Sequence, residues 1–483
     1  MAEKRRPRKK KKSLKRFSVI LAIELIVLVL LAGSYYIISK NNKKNNNPNN
    51  TADNSQDNDK NNDKNVNDNG GKKEEVLTPE QLEAQKEQER LQKEIEAREE
   101  LIAEANKLTL SYDYDAAIEL IKTYQGAEGG YQVYPALVKA IQDLETTKDS
   151  LLLYGGSYKS VTEFNHVFFH TLVADNSKAF DADYTSTGYN MYMTTIYEFN
   201  KMMQKMYEDG YVLVSIHDIA KPELQDDGTY KFKEQKIYLP EGKKPFVLSQ
   251  DDVSYYEYMK PDGFASRLMI GDDGKVTCEM ILDDGSAVQG DFDMVPILDK
   301  FVEEHPDFSY KGAKGIIALT GYEGVLGYRT NDLESPTYAQ DVETAKEVAE
   351  AMKANGWEFA SHSWGHRNSL EITTEHFKRD TQRWVDEVLH IIGPTDIYIF
   401  PKGVDFETTM GHYSSEKYKF AKEKGFNYFC GVDSKPWMHI KDDYVRMTRR
   451  PLDGQAMLQF PERLADLFNL DEIIDPERPP RDW

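Results

Sequence analysis

An apolar run, Lys244-Pro-Phe-Val-Leu-Ser-Gln250, ends on two adjacent carboxylates, Asp251 and Asp252, and roughly a hundred residues later the chain reads Ser361-His362-Ser-Trp-Gly-His366. Two imidazoles and one carboxylate are the donor set of a divalent-ion site of the zinc type, in which one position stays open for water. The other carboxylate is then free to act as a base. Hydrolysis is the chemistry these residue types point to.

Asp-Asp pairs also begin at 226, 272, 283 and 442, so the dipeptide alone says little. Those pairs sit among Gly, Lys and other turn residues. Asp251-Asp252 instead ends a hydrophobic strand, where burying two unpaired carboxylates costs several kcal/mol and a cation would relieve that cost. His362 and His366 follow an expected strand and precede a helix, which puts them on a loop at a strand's C-terminal end. Two chance histidines four apart would also be unsurprising among ten, so the pair gains its meaning from Asp252.

What must position these groups is legible from residue 160 onward, where short β-rich runs alternate with amphipathic helices. That pattern builds a parallel sheet or barrel with helices outside. Strands are predicted at His166–Leu172, Tyr211–Ile216, Pro245–Gln250, Gly315–Leu319, Glu358–Ser361, Ile397–Phe400 and Asn427–Cys430. Helices are predicted at Thr195–Glu208, Ala339–Asn355, Thr374–Ile392 and Ser414–Lys424. Residues 264–291 break the rhythm: Asp272-Asp-Gly274 and Asp283-Asp-Gly285 are turn signals between apolar stretches, predicting an inserted hairpin or small sheet.

The N-terminal third has a different character. Residues 1–16 hold ten Lys or Arg against one acid, so a formal charge of −21 overall becomes −30 for everything after them. A basic head before the almost wholly apolar stretch 17–38, interrupted by Glu24, predicts an uncleaved transmembrane anchor with the catalytic body outside the cell. The acidic body lacks the positive track that phosphates need, which excludes nucleic acid as a partner. Residues 39–75, rich in Asn, Asp and Lys, predict a disordered tether. Thr78-Pro-Glu-Gln81 then reads as a helix start, opening a charged spacer helix and a helical hairpin across 76–150. The thin seam Leu91, Ile95, Ile102, Ala105 leaves oligomerisation open. Cys278 and Cys430 are too few for a disulfide scaffold; they could pair or be two separate buried thiols.

Taken together, the motifs resemble the polysaccharide deacetylase family, the NodB-homology domain of carbohydrate esterase family 4, over residues 161–455, with 456–483 as a tail. Ser249-Gln-Asp-Asp-Val253 is similar to the family's Thr-Phe-Asp-Asp-Gly motif, and His362-Ser-Trp-Gly-His366 matches its His-Ser/Thr-x-x-His motif without a change. The resemblance implies an irregular (β/α) barrel of the NodB type. It also implies Asp251 as general base, and Asp252, His362 and His366 as ligands of a divalent metal, Zn2+ or another first-row ion. Phe400-Pro401-Lys402-Gly403 is similar to the shorter form of the third motif, whose backbone lines the acetyl pocket, with the Lys402 N–H aiding the oxyanion. That motif's arginine is missing; Arg449 or Arg450 could substitute, and Arg450 is grouped with the substrate-binding residues. The late Leu-x-His is also missing. His166-Val-Phe-Phe-His170 resembles the permuted exopolysaccharide deacetylases, in which the acid histidine precedes the barrel, so His170 is the expected acid. Trp437 is expected to flank the acetyl pocket or a sugar ring, or else to pack in the core.

The expected reaction is metal-dependent removal of N-acetyl groups from an N-acetylglucosamine-containing polysaccharide, either peptidoglycan or a secreted poly-N-acetylglucosamine. Asp251 would take a proton from the attacking water and His170 would give one to the departing nitrogen. The alternatives are an O-acetyl esterase acting on xylan and a glycan-binding scaffold that has lost catalysis.

Overall fold

The computed structural model describes residues 78–154, 164–409, 411–481 and 483. The expected basic head, transmembrane anchor and tether lie outside the described residues. Among the described residues no helix is long and apolar enough to cross a membrane.

Helix α1 (Pro79–Thr109) begins as the sequence dictates. The Thr78 side chain accepts from the Gln81 backbone, the Gln81 side chain accepts from the Thr78 N–H, and Pro79 sits where no intrahelical donor is needed. Its first half is solvated. Its second half packs Ala105 against α2 (Tyr114–Lys122) and α3 (Pro135–Asp149), burying Ala117, Ile118, Ile121, Leu137 and Ile141 in a small core. The buried Arg98 guanidinium lies 4.5 Å from the centre of the Tyr134 ring. Spacer and hairpin are thus one three-helix unit. It is tied to the barrel by the Tyr112 hydroxyl, which donates to the Asp307 carbonyl at 2.8 Å.

The barrel strands are β1 (Asn165–Phe169), β2 (Tyr211–Leu213), β3 (Lys244–Gln250), β7 (Ile316–Leu319), β8 (Glu358–Ser361), β9 (Ile397–Ile399), β10 (Tyr428–Val432) and β12 (Val445–Pro451). Between β3 and β7 the insertion forms a three-stranded antiparallel sheet of β4 (Arg267–Ile270), β5 (Val276–Ile281) and β6 (Ala287–Gly290), with Gly274 and Gly285 left-handed in its two turns. Strand β11 (Met438–Ile440) runs antiparallel along β12.

Seven parallel strands close on themselves in the order β7, β8, β9, β10, β12, β1, β3 and back to β7. Closure is irregular for a definite reason. The first half of β3 pairs with β2 through Leu213 and Phe246, and only its last residues, Ser249 and Gln250, pair with β7. The short β2 therefore wedges the barrel open at one end. Helices α4 (Ile196–Glu208), α5 (Met294–Glu304), α6 (Tyr338–Ala354), α7 (Thr374–Glu387), α8 (Glu416–Glu423) and α9 (Gly454–Gln459) complete the α/β alternation. Each buries an apolar stripe; α4, for example, buries Phe199, Met202, Met203 and Met206.

The predicted Thr374–Ile392 helix is interrupted at Val388, which separates α7 from a single turn, Leu389–Ile392. Strand β12 carries three arginines, Arg446, Arg449 and Arg450, and all three are buried. Residues after 455 join the same core through Leu464, Leu467, Phe468 and Ile473. There Arg478 meets Glu198 of α4 in a fully buried pair at 2.6 Å. Cys278 and Cys430 are both free and buried, so the two-thiol reading is the one the fold adopts.

Candidate active site

The candidate acid, base, metal ligands and acetyl-pocket segment each sit where a barrel strand ends. Asp251 and Asp252 follow β3, His170 follows β1, His362 and His366 follow β8, and Pro401–Gly403 follow β9. The Asp251 backbone extends the β3 ladder by one rung, its N–H donating to the Phe169 carbonyl at 2.9 Å. Asp252 then leaves the strand at φ 61°. Ser363, His366 and Lys402 are also left-handed, at φ 58°, 50° and 57°. Each such non-glycine residue costs on the order of 1 kcal/mol or more, so four together mark backbone held in place by its surroundings.

One ligand atom from each of Asp252, His362 and His366 falls within a set whose members all lie within 4.8 Å of one another. His366 Nε2 is 3.9 Å from Asp252 Oδ2, and the two imidazole centres are 4.9 Å apart. His362 Nδ1 lies 2.9 Å from the Ile399 carbonyl, which can only accept, so Nδ1 is the donor there and Nε2 is the nitrogen left to face the site. Burial, chiefly, together with neighbouring His362 pulls His366 down to about 4 against the pull of Asp252, keeping this imidazole neutral near pH 7. For Asp252 burial acts upward, but His366, His362 and His170 outweigh it and hold the carboxyl below its usual value. Two imidazoles and one carboxylate fit a divalent cation of the zinc type.

Asp252 Oδ1 is oriented by the Tyr256 hydroxyl at 2.7 Å. The histidine loop is held from behind: Asp380 of α7 accepts from the Trp364 and Gly365 N–H groups at 2.8 and 2.9 Å. The Trp364 carbonyl in turn accepts from Gly321 and Tyr322, at 3.0 Å each. Gly321 has to be glycine, since a Cβ there would lie 2.3 Å from the Trp364 ring. Neither Asp380 nor Tyr256 carries a sequence signal of its own, because their meaning comes only from what they touch.

The base candidate is gripped separately. Arg449 meets both oxygens of Asp251, at 2.7 and 2.9 Å, and both side chains are almost wholly buried. Burial raises Asp251, but Arg449 first and His362 next overcome it, leaving the carboxyl far below its usual range and ionised. Arg449 also donates to Ser249 Oγ at 3.2 Å, and that hydroxyl meets Nε2 of the buried His166 at 2.9 Å. Burial and Arg449 keep His166 neutral. The substitution of Gln for the motif's usual residue before the aspartates has a structural use, for Gln250 Nε2 donates to Asp293 at 2.7 Å and to the His170 carbonyl at 3.2 Å.

The alternative Arg450 is corrected by the geometry. Its guanidinium donates to Asn165 Oδ1 at 2.7 Å and to Asp466 at 2.6 and 2.9 Å, and it also contacts the Arg463 carbonyl. Successive residues of β12 project to opposite faces, so 449 and 450 cannot both reach Asp251. Arg450 braces β12 against the C-terminal segment instead. His170 is half-buried beside the aspartates, with Nδ1 3.1 Å from the Tyr192 carbonyl. That leaves Nε2 for proton transfer.

Of the 400–403 segment, Phe400 is fully buried, its ring 4.7 Å from that of Phe406, so substrate can be met only through Pro401–Gly403. Gly403, at φ 69°, admits no Cβ, which would lie 2.5 Å from Val432. Trp437 is half-buried: Nε1 donates to Asp433 Oδ2 at 3.0 Å, and its ring is 4.9 Å from His439 and 5.0 Å from the Arg446 guanidinium. These contacts pack it against β11 and β12.

Residues 336–429 match the family model described as polysaccharide deacetylase. That span contains His362, His366 and the 400–403 segment; the two aspartates precede it. No curated protein matches the chain. Among solved structures, the chain is similar to a Streptococcus pyogenes deacetylase in complex with acetate, at 13% identity over 61% of this chain and 96% of that one, TM-score 0.33. It is similar to a de-N-acetylase from Aggregatibacter actinomycetemcomitans at 15% identity, over 60% and 95%, TM-score 0.34. A polysaccharide deacetylase from Bacillus cereus aligns at 12% identity, over 62% and 68%, TM-score 0.34.

Proposed function

From a chain that carries the polysaccharide deacetylase signature over residues 336–429, we propose a metal-dependent N-deacetylase of an N-acetylglucosamine-containing polysaccharide, anchored in the cell membrane with its barrel outside. The observation that carries this reading is the convergence of Asp252, His362 and His366 beside an ionised Asp251.

Asp252, His362 and His366 would hold the ion. When bound it would supply Lewis-acid polarisation of the acetamide carbonyl and lower the pKa of water. Asp251, ionised and fixed by Arg449, takes the proton from the attacking water. Bidentate pairing lowers its basicity but fixes its orientation, so its contribution is mainly positional. An amine leaves poorly as an anion, and His170, projecting from the neighbouring strand end, gives the departing nitrogen its proton. The Lys402 backbone, held left-handed after β9, offers its N–H to the developing oxyanion.

Anchoring rests on the basic head and the apolar stretch 17–38, and the substrate on the family resemblance together with an acidic body suited to neutral glycans. The test is acetate release by the full-length chain from peptidoglycan, poly-N-acetylglucosamine and acetylxylan, with and without chelator. Release from an N-acetylated polymer that stops on chelation and returns with Zn2+ is expected. Release from acetylxylan alone would transfer the reading to ester hydrolysis, and none from any substrate would leave a glycan-binding protein.

A further inference from the structure

Tyr256, whose hydroxyl holds Asp252, begins a row of aromatic rings that leads away from the candidate site. Its ring stacks on Tyr258 (centroids 5.8 Å, planes 11° apart) and on Tyr322 (5.1 Å, 21°), and Tyr322 meets Trp364 edge-on at 6.4 Å. Tyr256 is buried, Tyr322 and Trp364 are half-buried, and Tyr258 is 52% exposed. Tyr184, 92% exposed, precedes Thr185, whose hydroxyl donates to Asp262 on the segment that carries Tyr258. A row running from a candidate metal ligand to open solvent exceeds what core packing asks for.

The row is also rigidly mounted. Arg329 donates to Glu257 at 2.7 Å and to the Ser254 carbonyl at 3.3 Å, and it contacts the Tyr255 and Glu323 carbonyls, clamping the loop after β3 to the loop after β7. Asp262 accepts from Tyr189 at 2.7 Å and from Thr185 at 3.4 Å, tying the segment that carries Tyr184 to the one that carries Tyr258. Rings fixed before a ligand arrives lose little entropy on binding it. The carboxylates along the row are Glu257, Asp262 and Glu323, while Lys260 and Arg329 are already engaged by Glu257, so a polyanionic chain would be repelled.

We propose that Tyr258, with Tyr184 on the adjoining segment and Tyr256 and Tyr322 behind it, forms an extension subsite that stacks on the C–H face of a neutral or amine-bearing pyranose, one or more units along the polymer from the residue being deacetylated. This rests on the deacetylase reading and adds a length requirement to it. A single sugar reaches the metal ligands; only a chain reaches the rim as well.

The experiment compares kcat and KM of the full-length wild type, Tyr258→Ala, Tyr184→Ala and Tyr258→Trp on the N-acetylglucosamine hexamer and on a small aryl acetate. For Tyr258→Ala, KM on the hexamer should rise about fivefold to tenfold, with kcat and aryl acetate turnover held. Tyr184→Ala should do the same to a smaller degree, and Tyr258→Trp should restore the hexamer KM. Equal losses on both substrates, or an unchanged hexamer KM, would overturn the subsite. If the wild type hydrolyses neither substrate, the deacetylase reading fails on its own and the rim is judged by calorimetric titration with the hexamer. Binding that weakens in Tyr258→Ala then upholds the subsite, and binding that is absent or unchanged removes it.

Discussion

The two ends of the barrel are made by the same strands and treat charge in opposite ways. At the end where strands begin, His217 sits between Glu358, the first residue of β8, and Asp396, just before β9, with Nδ1 and Nε2 each bonded to a carboxylate, at 2.5 and 2.9 Å. Nearby, the Tyr428 hydroxyl donates to the Ala220 carbonyl at 2.7 Å. At the end where strands finish, His362 and His366 each keep a ring nitrogen aimed at a space shared with Asp252, and four candidate-site residues there, Asp252, Ser363, His366 and Lys402, are left-handed. One end satisfies its polar groups internally. The other leaves donor atoms converging and spends backbone strain to do so, which is how a stable scaffold and a reactive site share one sheet.

Removing the base should separate the two ends most sharply. Asp251→Asn is expected to cut acetate release by about a hundredfold to ten-thousandfold, with the circular dichroism spectrum retained. His170→Ala should fall in the same range while metal content, read by atomic emission, stays at wild-type level; loss of metal along with activity would assign His170 to the ion instead of to the leaving nitrogen. Arg449→Met leaves Asp251 buried without its partner, so about 3–5 kcal/mol of stability should disappear in a urea titration. Asp380→Ala touches no candidate ligand, yet by releasing the histidine loop it should weaken Zn2+ binding about 10-fold to 100-fold by competition with a chelating dye.

The smallest effect belongs to the opposite end and concerns pH. Burial opposes a charge on His217, but Asp396 and Glu358 outweigh it and raise the imidazole from 6.5 to about 10. The folded state then holds a proton that the unfolded chain releases. The resulting stabilisation is full below pH 6.5 and drains away as pH rises through about 10. Thermal melts of wild type should therefore decline across pH 7–10 more steeply than those of His217→Gln. Parallel declines would mean that His217 is not the group responsible.

Much of this molecule announces itself locally. The capping boxes at Thr78 and Thr195 start α1 and α4 as their sequences require, and the Asp-Asp-Gly turns bound the inserted sheet. The Asp251-Asp252 pair and the two histidines could be chosen without coordinates, because an apolar run ending in acids and a His-x-x-x-His after a strand are each contained in a few residues, while the family resemblance implied which aspartate is the ligand. Features assembled from distant segments left no such trace. Asp380 and the Gln250–Asp293 bond depend on pairs separated by loops or helices. On strand β12 the partners of the three arginines, Asp405 for Arg446, Asp251 for Arg449 and Asp466 for Arg450, all come from other segments, so no local pattern assigns them.

The sequence by itself determined which side chains can bind a cation and move a proton, since donor type and short spacing are properties of the chain. Only the tertiary structure decided which arginine serves Asp251. That choice depends on register: β12 pairs Arg449 with Val432 of β10 and Arg450 with Val167 of β1, and strand side chains alternate faces. A shift of one residue would exchange the two arginines, and no local pattern encodes that pairing.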